Sequence, residues 1–378
     1  WYLLRPVHFR NFIAHAYDLL IGSWYPLKLG RAAHNPVLPT TRHAWEAAGV
    51  LNPAAIDDGE RIHLFYRAIG TDGVSRVGYA SSRDGIHFDE RLPHPVFATQ
   101  KDPRDSSRLY ARNDARFAAL AASGGSWSGV EDPRAVLIDD RMYLTYNSFQ
   151  DWSMRIGMST LSAEDLQNRR WKWTPPSYLS PPGQVHKNWL LFPRRIGGKF
   201  AVLHSVSPAP EVEYVDDIEA VGVTEPHIKS VESPRTAGVK DGWETRVRGA
   251  GPPPIETKDG WLVLYHAHDH DHGRYKLGAM LLDLDDPTKV LARSPMPVLE
   301  PDARYENEGA KPGIVYACGA VVRDGMLMVY YGGADNFVCM AAAPLDDFLE
   351  KLKAGHAAKL ARQRAPIFPN LPVAFAPV

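Results

Sequence analysis

The chain has 378 residues, a formal net charge of −1 and 44% apolar residues, with 31 prolines and 30 glycines spread along its length. A near-neutral balance gives no support to a nucleic acid or an anionic membrane as partner, and no apolar run reaches the roughly 18 residues that a membrane-crossing helix needs. Two cysteines, Cys318 and Cys339, are too few for a disulfide framework; they read as reduced and buried, which points to the cytoplasm.

From the N-terminus, Arg5 and Arg10 interrupt the first apolar run, so no signal-peptide pattern is formed. The stretch "RNFIAHAYDLLIG" has the apolar spacing of one amphipathic helix. Residues 1–35 are therefore expected to be a partly helical extension, residues 36–345 the main domain, and residues 346–378 a C-terminal helix and tail. In that tail, "LDDFLEKLKAGHAAKLARQR" carries acids early and bases late, as a helix dipole prefers.

Between these ends the chain repeats. "DDGERIHLFYRA", "IDDRMYLTYNS", "IGGKFAVLHSV", "KDGWLVLYHAH" and "RDGMLMVYYGG" each open with a turn and close on an apolar strand. They align at Tyr66, Tyr146, His204, His266 and Tyr331. A strand with small residues follows most of them ("RVGYASS", "RIGMSTL", "KLGAMLLD", "FVCMAAA"), and another strand precedes each. A fourth, outer strand is expected in "HPVFA" and "MPVLEP". Five antiparallel units of this kind predict an all-β fold, a five-bladed β-propeller with short helical extensions at both ends. Two packed sheets are the alternative architecture. The polar, Ala-rich stretch 104–128 reads as an insertion.

In a propeller the first strand of each blade lines the central channel. Asn52 and Asp132 each precede the aligned residue by 14 positions, and Asn188 precedes it by 16, so the three are expected to face one cavity. Asp132, in "GVEDPR", is the candidate catalytic residue. A carboxylic acid in a partly dry cavity is expected to have a raised pKa and to donate a proton to a leaving oxygen. Its neighbour Glu131 would point to the opposite face of the strand. The structural alternative is an ion pair between Glu131 or Asp132 and Arg134. Lys187, Arg67, His266 and Tyr275 add cations and hydroxyls at blade mouths, a set that suits a phosphate or a sugar carboxylate. The run "HAHDHDHG" has no matching ligand cluster elsewhere, so no metal is expected.

The motifs "GVEDPR", "KNWLLFP", "GAGPPPIETKDGWLVLYH", "YKLGAMLLDLDDPTKV", "YENEG" and "YYGGAD" resemble glycoside hydrolase family 130, the β-mannoside phosphorylases and β-mannosidases. The resemblance implies a five-bladed propeller and an inverting cleavage of β-mannosides by inorganic phosphate, giving mannose 1-phosphate. It implies no cofactor, phosphate being the co-substrate, and a manno-oligosaccharide or mannosyl-sugar partner. By the same resemblance Asp132 is the general acid, acting through a sugar hydroxyl. Lys187, His266, Tyr275 and Arg67 would bind phosphate, and Asn52, Arg134, Asn188 and Asp335 the sugar. One position departs from the phosphorylase pattern: Ser205 stands where an Arg is expected, and Arg194, Arg195, Arg246 or Arg248 could compensate. A β-mannosidase on the same scaffold stays open, with Glu244, Glu256, Asp269 or Glu306 as the base, and so does a non-catalytic glycan-binding propeller. A homo-oligomer is compatible with the sequence.

Overall fold

A computed structural model describes residues 27–99, 125–150, 153–231, 243–268 and 273–355. The expected N-terminal helix, most of the 104–128 insertion, residues 269–272 of the His-rich segment 266–272 and the tail after residue 355 lie outside them. The regular structure of the described chain is mostly antiparallel strand. A short strand β1 (Gly30–Arg31) comes first. The first blade follows as β2 (Gly49–Asp57), β3 (Ile62–Ile69), β4 (Val74–Ser82) and β5 (Phe88–Arg91). The second is β6 (Ser128–Ile138), β7 (Arg141–Gln150), β8 (Ser153–Ser162) and β9 (Ser177–Tyr178), with helix α1 (Ala163–Gln167) after β8.

The third blade has three strands, β10 (Leu190–Leu191), β11 (Phe200–Ser205) and β12 (Glu211–Val215). In the fourth, the inner edge is split into β13 (Arg246–Ala250) and β14 (Ile255–Thr257), both paired with β15 (Gly260–His268), followed by β16 (Tyr275–Leu282) and β17 (Val290–Arg293). The fifth is preceded by α2 (Arg304–Asn307) and comprises β18 (Val315–Arg323), β19 (Met326–Gly333) and β20 (Phe337–Pro344). Helix α3 (Leu345–Lys353) ends the described chain, with Asp346 and Asp347 in its first turn and Lys351 and Lys353 in its last.

The ring is closed by the N-terminal segment. Gly30 and Arg31 pair with Ala342 and Ala341, so β1 is the outer strand of the fifth blade. The propeller thus takes in residues ahead of the boundary expected at residue 36. Among the described residues, each seam between neighbouring blades is filled by its own apolar cluster. Phe65 and Val77 meet Val130 and Leu144 between the first two, and Val50 and Leu64 meet Val321 and Tyr330 between the last and the first. The other three seams have their own clusters, for example Tyr143 with Phe200, Leu203 with Trp261, and Leu264 with Val329. Burial of apolar side chains at about 25 cal/mol per Å² drives the blades together, and a closed ring leaves few exposed strand edges.

The small residues of the third strands have a steric cause. A Cβ on Gly78 would lie 2.3 Å from the Tyr66 ring, one on Gly157 2.3 Å from Tyr146, and one on Gly278 2.3 Å from Tyr265. Each Tyr pairs across the ladder with that glycine. This corrects the sequence alignment in the fourth blade by one residue: Tyr265, and not His266, is the counterpart of Tyr66 and Tyr146. Because strand side chains alternate, the slip moves His266 to the other face. It takes the register place of Arg67 and Asn147, which pair with Val77 and Ile156 as His266 pairs with Leu277.

The outer strands also differ from expectation. They run at Phe88–Arg91 and Val290–Arg293, while "HPVFA" and "MPVLEP" supply only single bridges, Val77 with Phe97 and Leu277 with Leu299. A repeated contact anchors the outer strands. Tyr66 donates to Glu46 Oε2 at 2.7 Å, and Arg91 of β5 bonds the same oxygen at 2.7 Å. Tyr265, Glu244 and Arg293 of β17 repeat this, as do Tyr331, Glu306 and Arg31 of β1. The tyrosine reads as part of an apolar strand, but its hydroxyl needs a buried partner.

Candidate active site

Asn52, Asp132 and Asn188 have φ of 47°, 48° and 65°. Left-handed backbone is rare outside glycine, and Asn and Asp are the residues that tolerate it best. In β2 and β6 the register shifts between Leu51 and Ala54 and between Glu131 and Arg134. The Asn-Pro and Asp-Pro pairs thus form bulges, and a bulge re-aims a side chain. The bulges bring the amide of Asn52 onto the carboxylate of Asp132, where Nδ2 donates to Oδ1 at 2.7 Å.

Around Asp132 the charges are dense and buried. Arg67 Nη1 donates to its Oδ1 at 3.2 Å, Asn147 Nδ2 donates to its Oδ2 at 3.1 Å, and Lys187 Nζ lies 3.4 Å from the same Oδ2. Glu131 joins the same cluster. It accepts from Arg67 Nη2 at 3.0 Å and from Ser126 at 2.7 Å, and Lys187 Nζ is 3.7 Å from its Oε2. The two acids therefore do not part to opposite faces, because the left-handed residue breaks the alternation between them. The ion pair with Arg134 is not formed either. Arg134 donates instead to the main-chain oxygens of Asp132 and Gly251, both at 2.8 Å, and to Asn188 Oδ1 at 3.0 Å.

This setting overturns the expected raised pKa of Asp132. Burial pushes it up, but Lys187, Arg67 and Arg134 together with the Asn52 hydrogen bond outweigh burial and hold it well below the usual carboxylate range. The acid whose pKa is raised is Asp335, buried at φ 51°, where burial dominates over the opposing charges of Lys311 and Arg67. Lys311 Nζ stands 3.6 Å from its Oδ2.

His266 lies on the blade-four side. Its Nε2 accepts the Ala317 N–H at 2.9 Å, so the neutral ring carries its proton on Nδ1. Burial, helped by Arg134, lowers its pKa to about 3. The ring stacks on Tyr316 with centroids 3.8 Å apart, and Tyr316 OH donates to Asn188 Oδ1 at 2.8 Å. Tyr275 sits at the start of β16, its ring 5.9 Å from that of Tyr316. Asp132, Lys187, Arg67, Asn52, Arg134 and Asn188 thus share one bonded network, which reaches His266 and Tyr275 through Tyr316. Asp335 adjoins electrostatically.

Asn147 and Tyr316 were missed from the sequence. Asn147 also accepts the Asn188 N–H at 3.1 Å, and the signal for it was present, since it follows Tyr146 as Arg67 follows Tyr66. Tyr316 had none. Among the described residues no group of three or more His, Cys, Asp or Glu could hold a metal, and no helix is long and apolar enough to cross a membrane. Cys318 and Cys339 are both free thiols and buried.

The proposed compensators for Ser205 separate clearly. The Ser205 hydroxyl bonds the Ser207 carbonyl at 3.0 Å. Arg194 pairs with Glu256 and lies over Trp261, Arg195 lies over Phe200, and Arg246 is exposed opposite His268. Arg248 alone of the four stands over Tyr275. The family model described as β-1,4-mannooligosaccharide phosphorylase, glycoside hydrolase family 130, matches residues 34–354. The chain belongs to glycoside hydrolase family 130.

Within family 130, the chain is 38% identical over 332 residues to a 1,2-β-oligomannan phosphorylase of Thermoanaerobacter sp. (strain X514), covering 85% of this chain and 99% of that protein. A β-1,2-mannobiose phosphorylase of the same organism is 35% identical, covering 83% and 96%. A family-130 β-1,4-mannooligosaccharide phosphorylase of Ruminococcus albus is 28% identical, covering 72% and 74%. Among solved structures, the complex of Listeria innocua β-1,2-mannobiose phosphorylase with β-1,2-mannobiose superposes with a TM-score of 0.65 at 22% identity, covering 86% of this chain and 99% of that one. That likeness establishes the fold, the same five-bladed all-β ring.

Proposed function

We propose that the chain is an inverting β-1,2-mannoside phosphorylase that releases mannose 1-phosphate. It is an enzyme acting on β-mannosides with phosphate as co-substrate. One observation carries the choice of phosphate over water: among the described residues, the carboxylates considered as bases for water are spent on the framework, while Asp269 lies outside those residues. Glu244 and Glu306 are each held by a tyrosine and an arginine, and Glu256 is exposed and paired with Arg194. An inverting hydrolase needs such a base opposite its acid. A phosphorylase replaces it with the bound anion and needs cations, which Lys187 supplies beside Asp132.

In this reading a phosphate oxygen attacks the anomeric carbon and the glycosidic C–O bond breaks. The leaving oxygen takes a proton that originates on Asp132, passed through a sugar hydroxyl. Asp132 is ionised in the unliganded site, so it must first gain that proton. A dianion that draws Lys187 toward itself removes the charge that most stabilises the Asp132 carboxylate and favours the protonated form. Lys187, His266, Tyr275 and Arg67 are the phosphate-side residues. Arg67 is fully buried, so it acts by holding Asp132 and Glu131 in place. Asn52, Arg134, Asn188 and Asp335 are the sugar-side residues. The β-1,2 linkage follows the relatives of 38% and 35% identity over the β-1,4 enzyme at 28%.

Product analysis on β-1,2- and β-1,4-mannobiose, with and without phosphate, tests this. Mannose 1-phosphate formed from the β-1,2 substrate only when phosphate is present supports the proposal. Free mannose released regardless of phosphate makes the enzyme a hydrolase and ends it.

A further inference from the structure

We infer that Arg248 is a phosphate-receiving cation at the mouth of the site; the inference rests on the phosphorylase reading and names a residue for it. Arg248 occupies the register irregularity of β13, between Val247 and Gly249, at the place where an inner strand can re-aim a side chain toward the cavity. Its backbone is locked to the site, because its carbonyl accepts from Asn188 Nδ2 at 2.8 Å. Gly249 makes that approach feasible: at φ 121°, a Cβ there would lie 2.9 Å from the Asn188 Cβ. Asn188 in turn is bonded to Arg134 and Tyr316.

The guanidinium is placed over the Tyr275 ring, with Cζ 5.9 Å from the centroid. Among the described residues it has no carboxylate partner. That sets it apart from Lys187, Arg67 and Lys311, while Arg134, which has no carboxylate partner either, is fully buried and bonded to main-chain oxygens and Asn188. Lys187 has Asp132 and Glu131, Arg67 has the same two acids, and Lys311 has Asp335. A half-buried guanidinium supported by an aromatic face and lacking an anion is a ready-made partner for one, and guanidinium binds phosphate in a two-pronged geometry. The neighbouring His266 adds a buried Nδ1–H donor that makes no hydrogen bond in the described structure. Arg248 and His266 are joined through Tyr275 and Tyr316, so the unpaired cation and the unpaired donor belong to one patch.

The test uses the whole enzyme with inorganic phosphate as probe. For Arg248→Ala the KM for phosphate in phosphorolysis of β-1,2-mannobiose should rise about tenfold or more, the scale of one lost charge-assisted hydrogen bond. The KM for mannobiose should change by less than about twofold, and Arg248→Lys should recover part of the loss. In parallel, phosphate should raise the Tm of the wild type and fail to raise that of Arg248→Ala at the same concentration. An unchanged KM for phosphate, or a rise confined to mannobiose, overturns the assignment. If Arg248→Ala does not fold, Arg248→Lys and Arg248→Gln decide on the same two readouts. A wild type that binds phosphate through Arg248 but forms no sugar phosphate would sink the phosphorylase reading and leave the anion seat standing. A wild type that phosphate does not stabilise sinks the seat.

Discussion

Asn52 and Asp132, 80 residues apart in the chain, meet as a 2.7 Å hydrogen bond between two left-handed bulges of neighbouring blades. Holding non-glycine residues in that conformation costs on the order of 1 kcal/mol each, and the network around Asp132 offsets it. The strain marks the place where the sheet gives up regular pairing to present a carboxylate.

Asp132→Asn tests the role of that carboxylate. The amide keeps most of the hydrogen-bonding shape but cannot supply the proton, so kcat should fall by about 10²–10⁴. Circular dichroism should show an unchanged fold. Residual turnover within about tenfold of the wild type would remove Asp132 from the chemistry.

The buried histidines predict how stability depends on pH. Burial lowers His186 and His204 to about 4 and His266 to about 3. The unfolded chain takes up these protons near pH 6.5, and the folded one only far below. The unfolded state therefore binds more protons in this interval, and stability is lost as pH falls from about 6.5 to 4. Tm measured across this range should fall steeply, and His186→Phe should flatten the slope. A Tm constant from pH 6.5 to 4.5 would contradict the buried neutral state.

Glu306→Gln separates framework from catalysis. The change leaves Arg31 and Tyr331 without their anionic partner at the ring closure. Breaking a buried pair of this kind costs about 3 kcal/mol, so chemical denaturation should show a large loss of stability. At temperatures where the variant is folded, the yield of sugar phosphate per turnover should not change. Loss of turnover with stability intact would instead make Glu306 a catalytic base.

Gly157→Ala probes the contact that sets the middle of the second blade. The added methyl would lie 2.3 Å from the Tyr146 ring, and overpacking of that size costs about 1–3 kcal/mol. Tyr146→Leu in the same chain should recover part of the loss, read as coupling in a double-mutant cycle by urea unfolding.

The repeat was legible because it rests on local pattern. Turn residues followed by alternating apolar strands mark each blade, and a large Tyr facing a Gly on the next strand recurs as a matched pair at Tyr66 and Gly78 and at Tyr146 and Gly157. The fourth blade misled the alignment because Tyr265 and His266 are adjacent and both fit an aromatic position; only the ladder pairing tells them apart. The closing strand β1 was invisible for another reason. Two residues carry no pattern, and what identifies them is Arg31 reaching Glu306 from the other end of the chain.

The sequence by itself determined the number of sheet units, the Asn-Pro and Asp-Pro steps at their inner edges and the acid that the site is built around, because these depend on residue type and short-range spacing. The tertiary structure decided the protonation state of that acid. Arg67 lies 65 residues before Asp132 in the chain, yet the ring brings its guanidinium, with Lys187, within 3.2–3.4 Å of the carboxylate. Electrostatic energy depends on distance and burial and not on order along the chain. Two cations placed there by separate blades turn a residue expected to be a neutral acid into a buried anion.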